Sequence, residues 1–207
     1  MAHGVIPRAD GSPLPQLAGL LLTGGLSRRM GRDKASIELE DGRTLAERVG
    51  QLLEEICAPA LEVGPGRSRL ASVGERHPGQ GPLTALAEGW AKLEQMGHRG
   101  HTLVVACDLP HITAGVLQLI GRWPGSGCAV PVVGDRDQPL CARWSAPAMR
   151  SCAELVGQGH RSLRRLLERP DVDRIDAAAW SVVADATAFA DVDTPEDLKT
   201  LGVRARA

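Results

Sequence analysis

Short apolar runs alternate with amphipathic helical patterns along most of this chain, and that alternation limits its fold more than any other feature. Leu17–Leu22 (LAGLLL), Ala60–Val63 (ALEV) and 102–106 (TLVVA) are apolar enough to be buried strands. Between them, apolar residues recur at intervals of three and four, as they do on the buried face of an α-helix. Such alternation predicts an α/β fold, a Rossmann-like three-layer sandwich whose mostly parallel sheet carries helices on both faces. Ligands of such sheets bind beyond the carboxyl ends of the strands.

The same patterns give approximate bounds to the elements. Thr44 and Glu47 form a capping box, which marks the start of the first helix. Pro82 and Pro195 suit first helical positions, and Thr194 can cap the helix that follows it. The predicted strands are 17–22, 60–63, 102–106, 128–133 and 139–144, and the predicted helices are 44–56, 82–93, 114–122, 162–168 and a last one after Thr194.

Length and composition predict a single domain with its own core. The chain has 207 residues, of which 43% are hydrophobic, and single α/β domains often run to about 200–250 residues. Neither a repeat nor a linker divides it. We expect one domain over 17–203, preceded by a loose tail over 1–16 that is rich in Pro, Gly and polar residues.

Charge and aromatic content exclude several function classes. The formal net charge is -1, so the molecule as a whole does not attract nucleic acid or an anionic membrane. Four Trp, one Phe and no Tyr offer little surface on which nucleic acid bases could stack. The apolar run Leu17–Leu22 is too short to span a bilayer. We therefore expect neither a nucleic acid nor a membrane as partner, and any anion site must be local.

The cysteines and histidines do not form a metal-binding pattern. Five cysteines without a CxxC pair indicate neither a zinc site nor a disulfide framework, so we expect a cytoplasmic protein. Cys107 is predicted to be a small core residue. His98 and His101 have the spacing of a metal pair but lack carboxylate partners nearby, and we expect both at the surface.

A glycine-rich basic stretch follows the first predicted strand. Gly24 and Gly25 allow main-chain N–H groups to approach a ligand closely, and Arg28, Arg29 and Lys34 supply charged donors for phosphate oxygens. The stretch contains neither a Walker A motif nor the GxGxxG of dinucleotide-binding folds. Glycines and arginines alone would also fit a solvated basic turn, so the composition of the stretch does not decide its role.

The order of residues in this stretch resembles a known signature. G-G-x-S-x-R-M-G-x-D-K is similar to the first motif of the molybdopterin-type nucleotidyltransferases, and most of all to that of the molybdenum cofactor guanylyltransferase family. Thr23 is the one departure, because Ala is usual at that position. Four later segments are also similar to family motifs and come in the same order: GQGPLTAL (79–86), ACDLPHI (106–112), RDQPLCARW (136–144) and DVDTPEDL (191–198).

The resemblance implies the fold of the nucleotide-diphospho-sugar transferases and a Mg²⁺-dependent reaction. GMP would pass from GTP to the terminal phosphate of molybdopterin or molybdenum cofactor with release of pyrophosphate, and molybdoenzymes or their chaperones would receive the product. It implies that Asp108 binds the metal, with Asp193 as a second ligand. Arg29 and Lys34 would neutralise the triphosphate, because two anions must meet in this chemistry. Arg29, Lys34 and Asp108 are thus the predicted catalytic residues.

The resemblance also implies contacts for the two substrates. The predicted nucleotide-binding residues are Leu22, Thr23, Gly24, Gly25, Ser27, Arg28, Arg29, Lys34, Glu75, Gly81, Pro82, Leu83 and Asp108. The predicted molybdopterin side consists of Gln138, Pro139, Arg161 and Ser162. Arg161 precedes a short predicted helix, whose N-terminus would favour a phosphate, but a surface ion pair explains it almost equally well.

The choice of base is left open by the motifs. Gly24, the Cys before Asp108 and the GPL turn are typical of guanylyl-type members, whereas Asp191 and Asp193 stand where those members usually have Asn and resemble the cytidylyl group. The alternatives are therefore a CTP-dependent molybdopterin cytidylyltransferase or a related sugar-phosphate nucleotidyltransferase. A non-catalytic nucleotide-binding partner protein ranks lower, because Gly25, Arg29, Lys34 and Asp108 are all present.

Overall fold

The computed structural model describes residues 16–24, 30–31, 33–76 and 78–204. The strands are β1 (Leu17–Leu22), β2 (Ala60–Val63), β3 (Ala71–Val73), β4 (His101–Ala106), β5 (Cys128–Val133), β6 (Arg136–Asp137), β7 (Cys141–Trp144) and β8 (Val172–Ile175). The helices are α1 (Leu45–Ile56), α2 (Pro82–Gln95), α3 (Ala114–Gly121), α4 (Ala146–Gly157), α5 (Arg164–Leu167), α6 (Ala177–Trp180) and α7 (Pro195–Thr200). Short 3₁₀ turns lie at Lys34–Ser36 and Ala186–Phe189.

The strands form one mixed sheet in the order β3-β2-β1-β4-β7-β5, with β6 and β8 both paired to β5. Strands β3, β2, β1 and β4 run parallel to one another, as does β8 to β5. Strand β7 enters antiparallel between β4 and β5, and β6 is antiparallel to β5. The predicted mostly parallel sheet is thus confirmed, with an antiparallel strand at its centre that brings the segment before β7 beside the carboxyl end of β4.

Helices cover the sheet on both faces, as the apolar runs predict. Leu21 of β1 belongs to a core shared with α1 and α3, whereas Leu20 points into a second core shared with α2 and α4. Because successive side chains of a strand point to opposite faces, a strand buried on both faces must be apolar throughout. All six residues of β1 are accordingly buried.

Several predicted bounds shift, and some elements lie where no prediction was made. The strand predicted over 139–144 is β7, which begins at Cys141, and the short helix predicted over 162–168 is α5, four residues long. Strands β3, β6 and β8 and helices α4 and α6 were not predicted; β3 and β8 carry too many exposed or polar residues to be recognised as buried strands. The tail predicted over 1–16 lies outside the described residues, apart from Gln16.

The expectation for one histidine was wrong. His98 is buried, its ring packs edge-on against Trp90, and its Nε2 lies 3.0 Å from the carbonyl oxygen of His101. Burial lowers the pKa of His98, so its neutral form is favoured. Cys107 is a buried core residue, as predicted, and all five cysteines are buried free thiols. Among the described helices, none has the length and apolarity needed to cross a membrane.

Candidate active site

Backbone hydrogen bonds gather the loops that follow β1, β2 and β4 at one edge of the sheet. Cys107 N donates to Leu22 O over 3.1 Å, and Thr23 N donates to Val63 O over 3.1 Å, so the parallel pairing continues past the strand ends. Val192 N then donates to Asp108 O over 3.0 Å. The last bond brings the DVD segment before α7 against the loop after β4, although more than 80 residues separate them in sequence.

Three carboxylates converge at this edge. Asp108, Asp191 and Asp193 each offer an oxygen, and these oxygens lie within 4.8 Å of one another. Lys34 Nζ lies 3.2 Å from Asp108 Oδ2 and also forms a salt bridge with Asp193. The predicted metal-binding pair and the predicted phosphate-binding lysine are therefore brought together, and Asp191 joins them.

Local structure holds Lys34 and Asp193 in place. Asp33 caps the 3₁₀ turn that begins with Lys34, since its carboxylate accepts from Ala35 N over 3.1 Å. Asp193 precedes α7, whose capping box consists of Thr194 and Asp197, as the sequence predicts for Thr194. Asp197 Oδ2 also accepts from Asp193 N over 2.9 Å, which ties the backbone of Asp193 to the start of the helix.

Burial and the ion pairs between Lys34 and the carboxylates shift the pKa values of Asp108 and Lys34 in opposite directions. Burial raises the pKa of Asp108, and the positive charge of Lys34 offsets this only in part. Burial lowers the pKa of Lys34, but hydrogen bonds and charge from Asp193 and Asp108 outweigh it and raise that pKa overall. A second cation at this edge would favour the ionised form of Asp108 still further.

The loop before α2 faces the end of β1. A Cβ atom at Gly24 would lie 1.5 Å from Glu75 Oε1, so a larger residue there would displace this carboxylate. Burial raises the pKa of Glu75, and the charge of Glu88 raises it further, while a hydrogen bond from the backbone of Gly79 lowers it. Glu75 and Gly24, both predicted to bind nucleotide, are thus direct neighbours.

The GPL turn starts α2 as predicted. Gly81 has φ of 93°, and a Cβ there would lie 2.8 Å from the carbonyl oxygen of Arg161. Pro82 is the first helical residue, and Leu83 N donates to Arg161 O over 3.2 Å. The turn is therefore built against the segment that leads into α5.

Comparison with known proteins identifies the fold and the family. The family model for the MobA-like NTP transferase domain matches residues 19–175, most of the chain. The protein belongs to this family. The probable molybdenum cofactor guanylyltransferase of Mycobacterium avium is 32% identical over 200 residues, which cover 93% of this chain and 98% of the relative. That of Mycobacterium tuberculosis is 32% identical over 190 residues, covering 88% and 91%.

A solved structure shows the same fold. The crystal structure of molybdopterin-guanine dinucleotide biosynthesis protein A from Archaeoglobus fulgidus superposes with a TM-score of 0.73 at 24% identity. The match covers 89% of this chain and 96% of the other. The nucleotidyltransferase fold expected from the motifs is therefore confirmed for this member of the MobA-like family.

The residues predicted for the molybdopterin side lie in two places. Gln138 and Pro139 precede β7, and the next residue, Leu140, accepts from Ala106 N over 2.8 Å at the end of β4. Arg161 and Ser162 are exposed beside the GPL turn. The Arg161 guanidinium donates to Gln80 Oε1 over 2.9 Å and to two backbone carbonyls, so most of its donors serve the local turn.

Part of the basic stretch lies outside the described residues. Gly25, Ser27, Arg28 and Arg29 are among these, and their predicted roles in nucleotide binding and catalysis stay predictions. Of the basic residues predicted in the first motif, the structure describes Lys34.

Glu62, a charged residue in β2, was not predicted from the sequence to matter for the site. Its side chain is fully buried in β2, and five donor groups make six hydrogen bonds to its carboxylate. The available signal was an acid inside the apolar strand ALEV, because a buried charge must find donors within the fold.

Proposed function

We propose that this protein transfers GMP from GTP to the terminal phosphate of molybdopterin or molybdenum cofactor, releasing pyrophosphate and forming the guanine dinucleotide cofactor. The observation that carries the proposal is the cluster of Lys34, Asp108 and Asp193 at the carboxyl edge of the sheet. Family membership and the names of the mycobacterial relatives support nucleotidyl transfer as the chemistry. Molybdoenzymes or their chaperones would receive the product.

Mg²⁺ fits the carboxylate cluster. Asp108, Asp191 and Asp193 supply oxygen ligands within 4.8 Å of one another, and Mg²⁺ is held in proteins by one or two carboxylates together with water and substrate phosphates. When bound, Mg²⁺ would neutralise phosphate charge and hold the reacting phosphates together. Asp108 and Asp193 are the proposed ligands, and Asp191, which is exposed, stands beside them.

Lys34 would bind the triphosphate. Its ammonium group is already at the site and the side chain is only 15% exposed, so its attraction for phosphate oxygens is weakly screened. Turning from Asp108 and Asp193 toward the phosphates requires only rotation of its flexible side chain. No protein nucleophile is needed in this reaction, because the phosphate of the second substrate attacks the α-phosphate of GTP.

Glu75 would recognise the base. A carboxylate has two acceptor oxygens, and the Watson–Crick edge of guanine offers two neighbouring donors, N1–H and the N2 amino group. Cytosine offers one amino donor on that edge. Donors from guanine would also stabilise the ionised form of Glu75, whose pKa burial raises. This supports GTP as the nucleotide.

The test measures binding and transfer with the purified protein. We expect GTP with Mg²⁺ to raise the melting temperature, since a ligand at about 100 times its Kd adds about 2.7 kcal/mol, and to give GMP transfer onto molybdopterin. CTP, ATP and UTP are the comparison nucleotides. Absence of GTP-dependent stabilisation and of pyrophosphate release would overturn the proposal.

Inosine triphosphate tests the role of Glu75 directly, because it lacks the N2 amino group. We expect wild-type protein to prefer GTP to inosine triphosphate by about 10-fold, the size of one hydrogen bond to a charged group. Glu75→Gln should bind GTP less well and lose much of that preference. Equal affinities in the wild type would mean that Glu75 does not recognise the amino group.

A CTP-dependent molybdopterin cytidylyltransferase is the second candidate. Asp191 and Asp193 favour it, because they replace the Asn residues usual in the guanylyl group, and both lie in the cluster. A rise in the melting temperature of the protein with CTP and not with GTP would favour the cytidylyltransferase. For either activity we propose the cytoplasm as the compartment, where the five buried free thiols stay reduced.

A further inference from the structure

The carboxylate of Glu62, near the site, is surrounded by hydrogen-bond donors. Thr23 Oγ1 donates to Glu62 Oε1 over 2.5 Å, and Gly66 N, Arg67 N and Ser68 N donate over 2.7–2.9 Å. The Ser68 hydroxyl adds a bond of 2.7 Å. A single buried side chain thereby joins the end of β1 to the loop that follows β2.

Both ends of this connection reach residues of the proposed GTP site. Thr23 directly precedes Gly24, which lies against Glu75. On the other side, Arg67 Nε donates to Asp33 Oδ2 over 2.8 Å. Asp33 caps the 3₁₀ turn whose first residue is Lys34.

Thr23 has little freedom to leave this arrangement. A Cβ atom at Gly64 would lie 2.2 Å from Thr23 Oγ1, so the backbone of Gly64 closes over the hydroxyl. Thr23 N is also bound to Val63 O over 3.1 Å. Thr23 is the position at which the first motif departs from the usual Ala, so the hydroxyl contact is a feature of this chain.

We propose that Glu62 is a positioning residue for nucleotide binding: through Thr23 it orients the segment at Gly24, and through Arg67 and Asp33 it orients the turn that carries Lys34. The inference rests on the proposed function, because it assigns Gly24 and Lys34 to the GTP site. Glu62 itself touches no substrate in this scheme. It acts by keeping two separate segments in register, and small misplacements of binding groups weaken their interactions greatly.

The experiment uses variants at both ends and leaves Glu62 in place, because Glu62→Gln sets an amide donor against backbone N–H groups and endangers folding. Thr23→Val removes the hydroxyl and keeps the shape, whereas Thr23→Ser keeps the hydroxyl. Thr102→Val is the matched control, since Thr102 is a buried strand residue whose hydroxyl has no hydrogen-bond partner among the described residues. The Kd for GTP with Mg²⁺ is measured by calorimetry on each folded variant.

We expect Thr23→Val to raise the Kd by about 10-fold and Thr23→Ser, which restores the hydroxyl, to recover most of that loss, while Thr102→Val stays within about twofold of the wild type. Equal losses in Thr23→Val and Thr23→Ser, or none in either, would overturn the role of the hydroxyl and with it the proposal. A wild type that binds no GTP would overturn the proposed function first; normal binding with unaffected variants overturns this inference alone.

The connection from Glu62 through Arg67 to Asp33 is tested by a double-mutant cycle. Arg67→Met and Asp33→Asn should each raise the Kd by about fivefold, the scale of one exposed ion pair, while melting temperatures stay near that of the wild type. The double variant should have a Kd for GTP no higher than that of the single variant that binds GTP less tightly, because both substitutions remove the same ion pair. Fully additive losses of GTP affinity would show that Arg67 and Asp33 act independently, and the proposal would then no longer include their connection.

Discussion

Two carboxylates near the carboxyl edge of the sheet, Glu62 and Asp108, are held in contrasting ways. Glu62 accepts hydrogen bonds from five neutral donors, and although burial raises its pKa, these bonds lower it overall. Asp108 has Lys34 as its side-chain partner, and its pKa is raised because burial outweighs that partner. Glu62 is stabilised as an anion by the fold, whereas the described residues around Asp108 do not fully offset its burial with positive charge, as expected of a group that binds a cation.

The contrast predicts opposite responses to acid. A carboxyl group with a lowered folded-state pKa stabilises the protein above its unfolded pKa, about 4.5 for Glu62, and that stability is lost as pH falls through the folded value. Asp108 has a raised pKa, so its ionised form costs stability at neutral pH, and the cost is relieved as pH falls through that raised value toward 3.8. The two contributions partly cancel in the wild type.

The largest expected effect is on activity, from Asp108→Asn. We expect turnover to fall by at least about 100-fold, because the proposed metal would lose a charged ligand. The melting temperature should stay the same or rise at neutral pH, since the variant removes a carboxylate that burial disfavours. Pyrophosphate release and thermal melts measure both. Near-normal turnover would contradict the assignment of Asp108, and a large loss of stability would contradict the contrast with Glu62.

Glu62→Gln should have the largest effect on stability. An amide cannot accept from all five donors, so we expect the free energy of unfolding to fall by about 2–4 kcal/mol. Denaturant melts at pH 7 and pH 4 measure the effect. The loss should shrink at the lower pH, because below about 4.5 the unfolded wild type binds a proton at Glu62 more readily than the folded protein does, which reduces the Glu62 contribution to stability. A pH-independent difference would show that the charge is not the stabilising feature.

Lys34→Met should have an intermediate effect. Removing the ammonium group leaves Asp108 and Asp193 facing each other, so the variant should lose stability in metal-free buffer and regain more of it on adding Mg²⁺ than the wild type does. Its Kd for GTP should rise by about 10-fold, and less at high salt. An unchanged affinity would mean that Lys34 serves the carboxylates alone.

The smallest expected effect is that of Thr102→Val on stability. Its buried hydroxyl lacks a hydrogen-bond partner among the described residues, so replacing it with a methyl group should leave stability unchanged or raise it by up to about 1 kcal/mol. Thermal melts beside those of Thr23→Val show the difference between a bonded and an unbonded buried hydroxyl. A loss as large as that of Thr23→Val would show that the Thr23 contact contributes little.

Much of the architecture could be predicted because its signals are local. The apolar runs of β1, β2 and β4 marked buried strands, and Thr44, Pro82 and Thr194 marked helix starts that the structure confirms. Strands β3 and β8 escaped prediction because they are short and partly exposed, which leaves no continuous apolar run. The burial of His98 was not predicted because it depends on a ring contact with Trp90, eight residues earlier in α2, and on the turn that brings His101 at the start of β4 beside it.

The sequence by itself determined the α/β alternation, the helix caps and the order of motifs by which the chain resembles its family, since each depends on residues close together along the chain. Only the tertiary structure decided that Lys34 meets Asp108 and Asp193, that Glu75 fills the space beside Gly24, and that Thr23 and Arg67 share Glu62. Apart from the bond between Arg67 and Glu62, which are five residues apart, these contacts join segments separated by tens of residues. They depend on strand order and register, which the packing of the whole sheet sets.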